Sequence, residues 1–112
     1  MAGRGDKIQG NILLSTTSET TLIAGVAGDF HDLEELVITN TSPITTVRVD
    51  FRDTTGGTVK FSITALASIA LPFPFSVCVS QDVANLGGNW TAQLSAAVSD
   101  VRIFAQANRT VT

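Results

Sequence analysis

The sequence contains a single cysteine, Cys78, and no tyrosine among its 112 residues. One cysteine excludes an internal disulfide framework and any zinc site built from several thiolates. No apolar run approaches the roughly 18 residues that a membrane-spanning helix needs. Charged residues make up only 15% of the chain, against about 25% in an average soluble domain. The sequence therefore predicts a domain that depends on its apolar core, with no membrane partner.

The charge that is present is slightly acidic, with a net charge of -3 and a pI of about 4.8. A protein that binds nucleic acid by neutralising phosphates needs the opposite balance, so we predict no nucleic-acid partner. A surface with so few charges is also unusual for a monomer, because soluble domains normally use charge to stay apart. The composition therefore indicates that much of the surface faces other protein.

Alternating apolar and polar residues are the main structural signal in this sequence. In residues 45–52 the apolar Val47, Val49 and Phe51 alternate with charged residues, as expected for a strand with one buried face. A glycine-containing turn follows, and a second alternating run covers residues 59–64. The two runs together predict a β-hairpin.

Further short strands with turn signals about every 8–12 residues bring the total to about seven or eight, and no segment shows a convincing helical period. Strands without crossover helices favour antiparallel pairing. We predict an all-β fold, an antiparallel β-sandwich of jelly-roll or Ig-like type, over residues 20–108. An extended N-terminal arm, residues 1–19, precedes it, and a polar tail, residues 109–112, follows. Pro72 and Pro74 predict an edge strand or a strand switch, since proline cannot donate to a central ladder.

The predicted core consists of the apolar side chains on the less polar face of each alternating strand. Its members are Val47, Val49, Phe51, Val59, Phe61, Ile63, Trp90, Leu94, Val101 and Ile103.

His31 lies among four carboxylates, those of Asp29, Asp32, Glu34 and Glu35. Such a group could ligate a divalent cation, but the spacing matches no EF-hand loop. An acidic, solvated loop before a strand is the favoured interpretation, and we predict no metal site.

The remaining candidates for chemistry also favour a structural interpretation. With a single histidine and no G-x-S-x-G motif, the sequence does not support a Ser-His-Asp triad. Cys78 is flanked by apolar residues, which is typical of packing rather than of a nucleophile. Trp90 shares a strand face with Ala92 and Leu94, which favours a core position over a platform for stacking sugars. We therefore predict that the protein is not an enzyme and uses no cofactor.

The N-terminal arm combines three glycines with a short apolar patch. It has too few apolar residues for a core of its own, yet their exposure to water would be costly, which is typical of a segment that orders on a partner. We predict that it binds the partner protein through Arg4, Lys7, Ile8, Ile12, Leu13 and Leu14. The alternative is that residues 12–14 form an extra edge strand on the protein's own sandwich.

Four stretches carry a resemblance to a known group of proteins. They are LEELVITNTS at 33–42, TTVRVDFRDTTGGTVKFSI at 45–63, LPFPF at 71–75 and GGNWTAQLSAAVSDVRIFAQ at 87–106. Their order resembles the small β-sandwich virion structural proteins of tailed bacteriophages over residues 20–107. The motifs are turn and core signatures, and none of them contains an active-site residue.

The resemblance implies a capsid decoration (cement) protein on the outer capsid surface of the virion, made in the host cytoplasm. It would bind the major capsid protein at capsomer junctions and stabilise the head. Together with the apolar corner at residues 72–75, it implies a homotrimer with Phe73 and Phe75 at the oligomer interface. The alternative is a receptor-binding or fibre/tail adhesion module that recognises a host-surface glycan.

Truncating a predicted core aromatic tests the strand register. We expect Phe61→Ala to lower the free energy of unfolding by about 3–5 kcal/mol, the range found for large aromatic truncations in cores. Urea denaturation measures the loss. A value below about 1 kcal/mol would mean that Phe61 is exposed and that the register is shifted by one residue.

Overall fold

The computed structural model describes residues 7–98 and 100–111, and within these ranges every long element is a β-strand. A single 3-10 turn, Val83–Asn85, is the one helical element there. No helix in this part of the chain is long and apolar enough to cross a membrane. The strands are β1 (Lys7–Leu14), β2 (Thr20–Ile23), β3 (Asp29–Asn40), β4 (Val47–Arg52), β5 (Phe61–Ala65), β6 (Ile69–Val79), β7 (Trp90–Leu94) and β8 (Val101–Val111).

The eight strands form two four-stranded antiparallel sheets. Sheet A has the order β1-β8-β3-β6, and sheet B has the order β2-β7-β4-β5. Two sheets of four strands in this order make a jelly roll, the double Greek-key form of the sandwich. The predicted all-β antiparallel sandwich is therefore confirmed, and of its two predicted forms the strand order corresponds to the jelly roll.

The core lies between the sheets and is built by the alternation seen in the sequence. Along β4 the residues Val47, Val49 and Phe51 are buried, and along β8 the residues Val101 and Ile103 are buried in the same way. Burying one such side chain contributes roughly 1.5–3 kcal/mol, so period-2 patterning drives the two sheets together.

Nine of the ten predicted core residues lie in or against the core. Phe61 and Ile63 are half-buried and pack against the cluster. The prediction is wrong for Val59, whose side chain is 36% exposed. The β4–β5 turn is longer than predicted, and β5 begins at Phe61, so Val59 lies in the turn and has no sheet face to occupy.

β6 is an edge strand of sheet A, as its prolines predict. It pairs with β3 on one side and with no described strand on the other, and Pro72 and Pro74 lie opposite Val37 and Glu35. Both prolines are exposed. The strand continues through both prolines to Val79, so the alternative prediction of a strand switch there is wrong.

The predicted N-terminal arm needs a correction, because residues 7–14 are part of the sandwich. They form β1, which pairs with β8 along its whole length, from Lys7 opposite Asn108 to Leu14 opposite Val101. The alternative prediction of an extra edge strand is therefore the correct one, and it extends further than residues 12–14. The boundary placed at residue 19 is not a domain boundary. The polar tail is also shorter than predicted, since β8 runs to Val111.

The burial of β1 explains why its pattern was hard to recognise. Ile8, Gly10, Ile12 and Leu14 all lie on the inner face. The glycine interrupts the apolar alternation, and Leu13 is an apolar residue on the outer face, 48% exposed. Gly10 is required there, because a Cβ atom would lie 1.9 Å from a backbone carbonyl oxygen of β2.

Gly10→Ala tests this close approach of β1 and β2. We expect it to lower the free energy of unfolding by about 1–3 kcal/mol, because the added methyl group must push the two backbones apart. Asn11→Ala, an exposed position on the same strand, is the control and should change stability by less than about 0.5 kcal/mol. Urea denaturation of both variants measures the difference, and equal stability would show that β1 tolerates a side chain at Gly10.

Candidate functional site

A cleft of about 410 Å³ lies at one end of the sandwich, between the β4–β5 turn and the segment that follows β6. Asp53 and Lys60 from the turn and Asp82 and Asn85 from the segment line it, together with Thr54, Gly57, Thr58 and Val59. This concentration of polar groups makes the cleft the first candidate for a binding or catalytic site.

The carboxylate of Asp53 is the most buried charge in the cleft, with only 4% of the residue exposed. Its Oδ2 accepts the backbone N–H of Asp82 at 2.7 Å and pairs with Lys60 Nζ at 3.4 Å. Its Oδ1 accepts from Asn85 Nδ2 at 2.8 Å. Each oxygen of Asp53 is therefore occupied by a partner from the chain itself, and the carboxylate ties the turn to the 3-10 segment.

The second carboxylate of the cleft also has a partner within the chain. The side chain of Asp82 accepts the N–H of Ala84 and caps the 3-10 turn. Across residues 7–98 and 100–111, no group of three or more His, Cys, Asp or Glu side chains is arranged to hold a metal ion. The cleft offers hydrogen-bonding groups to a small polar molecule, but it does not combine a nucleophile with a base.

Gln81 connects this cleft to β3, and sequence analysis missed it. Its Nε2 donates to the carbonyl oxygens of Asp53 and Gly88, and its Oε1 accepts the N–H of His31 at 2.9 Å. The available signal is slight: Gln81 is a polar residue two positions after the end of an apolar edge strand. Gln81 is 5% exposed. Its hydrogen bonds link His31 in sheet A to the carbonyl oxygens of Asp53 and Gly88, which lie beside the strands of sheet B.

His31 is buried in β3 and not in a solvated loop, which corrects the favoured sequence interpretation. It is 2% exposed, and neither ring nitrogen has a hydrogen-bond partner. Burial lowers the pKa of His31, with Asp29 and Asp32 opposing that shift and Arg109 adding to it. Nearby, Arg109 Nε and Asp29 Oδ2 form an ion pair at 2.6 Å, and the imidazole takes no part in it.

Two further candidates have structural positions. Trp90 is fully buried and its indole N–H donates to the carbonyl oxygen of His31, which agrees with the core position predicted for it. Cys78 is a half-buried free thiol in β6.

The residues predicted to bind a partner do not form one surface. Lys7 forms an ion pair with Glu34 at 2.7 Å within the domain. Ile8 and Ile12 pack against the core and Leu14 belongs to it, so of the described arm residues only Leu13 presents an apolar side chain outward. Arg4 lies outside the described residues.

The predicted oligomer contacts, Phe73 and Phe75, are half-buried and pack against the core from β6. Phe75 meets Phe61 of β5 edge to face, with ring centroids 6.0 Å apart. We call the edge of the sandwich formed by these two strands the β5–β6 side. Exposed apolar side chains flank it, those of Val59, Leu66 and Ile69.

Comparison with known proteins gives a likeness of fold. No family model matches the sequence, and no curated protein does. Among solved structures, a chain from Bacillus endospore appendages, described as a novel family of disulfide-linked pili, aligns with a TM-score of 0.53. The alignment covers 99% of this chain and 93% of that chain at 13% sequence identity.

This match corrects the predicted function. The similar structure is a pilus protein of bacterial endospores, not a bacteriophage head protein, so the prediction of a capsid decoration protein is wrong. At 13% identity the likeness shows the shared sandwich fold alone. The resemblance had been carried by turn and core motifs, which many sandwiches with different functions can share.

The buried imidazole makes stability depend on pH. Because the pKa of His31 is lowered in the folded state, the unfolded chain takes up the proton first as pH falls below the ordinary value of about 6.5. We expect the free energy of unfolding to decrease from there downward, with a slope no steeper than about 1.4 kcal/mol per pH unit.

His31→Leu, followed by urea denaturation between neutral pH and about pH 5, checks this expectation, since the variant should lose the slope. Hydrogen bonds from Lys7 and Arg48 lower the pKa values of Glu34 and Asp50, so the unfolded chain protonates these carboxylates first, from about pH 5 downward. This loss of stability is common to the variant and the unaltered chain and cancels in the comparison. The same slope in the variant and in the unaltered chain would rule out His31 as the source.

Proposed function

We propose that this chain is a non-catalytic structural subunit that associates with copies of itself to build a larger protein assembly. One observation carries the proposal. Along the β5–β6 side the apolar residues Phe61, Ile63, Phe73 and Phe75 are only half-buried. With the exposed Val59, Leu66 and Ile69 that flank them, they form an apolar patch of the kind that other protein covers.

The composition supports the same function. Only 15% of the residues are charged, so little electrostatic repulsion opposes contact between copies. Interfaces between identical chains are more apolar than the rest of a protein surface and have few charges at their centre. β5 has this character, since Phe61–Ala65 contains no charged residue, and Lys60, which directly precedes it, is paired with Asp53.

The polar groups of the chain support a non-catalytic role. Partners within the chain occupy both carboxylate oxygens of Asp53. The ring nitrogens of His31 are sealed inside the sandwich. A catalytic acid, base or nucleophile needs access to a substrate, and these buried groups lack it.

A structural neighbour with this sandwich fold supports a role in a protein assembly. That neighbour comes from disulfide-linked pili. A chain needs two cysteines to be joined covalently to two neighbours, and this sequence has one. We therefore infer that copies of this chain are held together by non-covalent contacts, and that Cys78 is not required.

Sedimentation velocity and negative-stain electron microscopy, carried out from low to high micromolar concentration, test the proposed function. We expect particles larger than a monomer that grow with concentration, both with and without reductant, because burial of the apolar side drives the association. Cys78→Ser is the matched variant and should assemble like the unaltered chain.

A monomer at every concentration would contradict the proposed function. Loss of assembly in Cys78→Ser or in reductant would show instead that a disulfide joins the copies. The same measurement determines the number of copies, for which the homotrimer stays a prediction.

A further inference from the structure

Four strands of the sandwich have one side without a strand partner in the described part of the chain: β1 and β6 in sheet A, and β2 and β5 in sheet B. Along such an edge, the N–H and C=O groups of alternate residues have no ladder partner and are available to a further strand. Proteins usually protect these edges with proline, charge or a covering segment.

Two of the four edges are protected. Pro72 and Pro74 remove backbone donors from β6. β2 has only four residues, and Gly10 of β1 lies directly against the carbonyl oxygen of Leu22. A third edge, β1, begins with Lys7 and presents the polar side chains of Gln9 and Asn11 to solvent.

β5 has none of these protections. Its sequence, Phe61–Ala65, contains neither proline nor a charged residue. It pairs with β4 on one side, from Phe61 opposite Phe51 to Ala65 opposite Val47, and with no described strand on the other. Its inward side chains Phe61 and Ile63 are half-buried, so both its backbone and its apolar face are incompletely covered.

We propose that β5 of one copy pairs antiparallel with β5 of a second copy around a two-fold axis at Ile63. The two B sheets then form one continuous eight-stranded sheet. The proposal rests on the self-association proposed above and names the surface that joins the first two copies. Strand addition of this kind gains backbone hydrogen bonds along the edge and specificity from the side chains.

The sequence of β5 is complementary to itself in this arrangement. A two-fold axis at Ile63 places Phe61 opposite Ala65 of the second copy, so a large side chain meets a small one on the inner face. On the outer face, Ser62 lies opposite Thr64 of the second copy, a pair that commonly hydrogen-bonds across strands. Neither pair brings like charges together, and this complementarity favours a second copy over an unrelated protein.

The same arrangement covers the apolar β5–β6 side. The two-fold axis stands perpendicular to the joined sheet, so the inner faces of both copies lie on one side of it. Each β6 then lies beside that of the other copy, and the exposed rims of Phe61 and Phe75 become enclosed. Pro72 and Pro74 prevent the A sheets from joining in the same way.

Charge placed on the outer face of β5 tests this pairing without altering the core. Ser62 and Thr64 are exposed, and they lie opposite Asp50 and Arg48 of β4. The double variant Ser62→Lys/Thr64→Lys places lysines opposite each other across the two-fold axis. The double variant Ser62→Lys/Thr64→Glu places a lysine opposite a glutamate and matches the local charges of β4.

Sedimentation velocity on full-length chains measures the dimer dissociation constant of each variant, and near-UV circular dichroism of Trp90 confirms the fold. We expect the lysine–lysine variant to dimerise at least about tenfold more weakly, because like charges lie opposite each other across the interface. The lysine–glutamate variant should dimerise about as well as the unaltered chain. The controls Thr21→Lys on β2 and Asn11→Lys on β1 should leave dimerisation unchanged.

Several outcomes would overturn the pairing. One is equal dimerisation by both β5 variants, and another is loss of association in Asn11→Lys instead. A third is an exclusively trimeric species, because β5 pairing joins copies in twos. If the unaltered chain still forms larger particles in these cases, the proposed function stands and only the choice of surface fails. If the unaltered chain remains a monomer at high micromolar concentration, both proposals fail and the edge belongs to a different protein or to none.

Discussion

The buried indole of Trp90 connects the two sheets of this sandwich. It projects from β7 in sheet B, and its N–H donates to the carbonyl oxygen of His31 in β3 of sheet A. The ring centroid of Phe61 lies 6.4 Å from that of Trp90 and 4.8 Å from that of Phe51, on which it stacks. A cluster of aromatic rings therefore lies between the sheets. Leaving the N–H of a buried tryptophan without an acceptor costs about 1–3 kcal/mol. This hydrogen bond therefore fixes where β3 lies over β7. The hydrogen bonds of Gln81 and Asp53 fix the neighbouring loops in the matching position.

Local patterns predicted the strands that carry a clear contrast between their faces. The alternation is complete in β4 and in the first part of β8, and there the buried Val47, Val49, Phe51, Val101 and Ile103 could be predicted. β1 could not, because Gly10 replaces an apolar residue on its inner face and its need for glycine depends on a carbonyl group of β2, twelve residues further along the chain. His31 and Gln81 were misjudged or missed for a similar reason. Polar residues look alike in sequence whether they are solvated or buried, and only the contact between distant segments distinguishes them.

The motifs that suggested a bacteriophage protein have structural roles in this chain. Asn40 is 1% exposed, and its amide donates to the carbonyl oxygens of Thr45 and Ala65. Ser42 accepts the N–H of Thr45 through its hydroxyl oxygen. These residues shape the β3–β4 turn, and any sandwich with that turn benefits from them. A resemblance carried by turn residues therefore reports how the chain folds and leaves open what it assembles with.

The position of β8 in sheet A determines when the domain can form during synthesis. β8 is a central strand that pairs with β1 on one side and with β3 on the other. In the β1–β8 pair, Lys7 lies opposite Asn108, a residue about a hundred positions further along the chain. Until Val101–Val111 has left the ribosome, β1 and β3 have no strand between them, and their facing edges have no ladder partner. Pairing between segments this distant is slow, because the long loop must close before any contact compensates for its entropy. The nascent chain therefore cannot complete sheet A strand by strand, and this half of the sandwich forms only after Val101–Val111 has been synthesised.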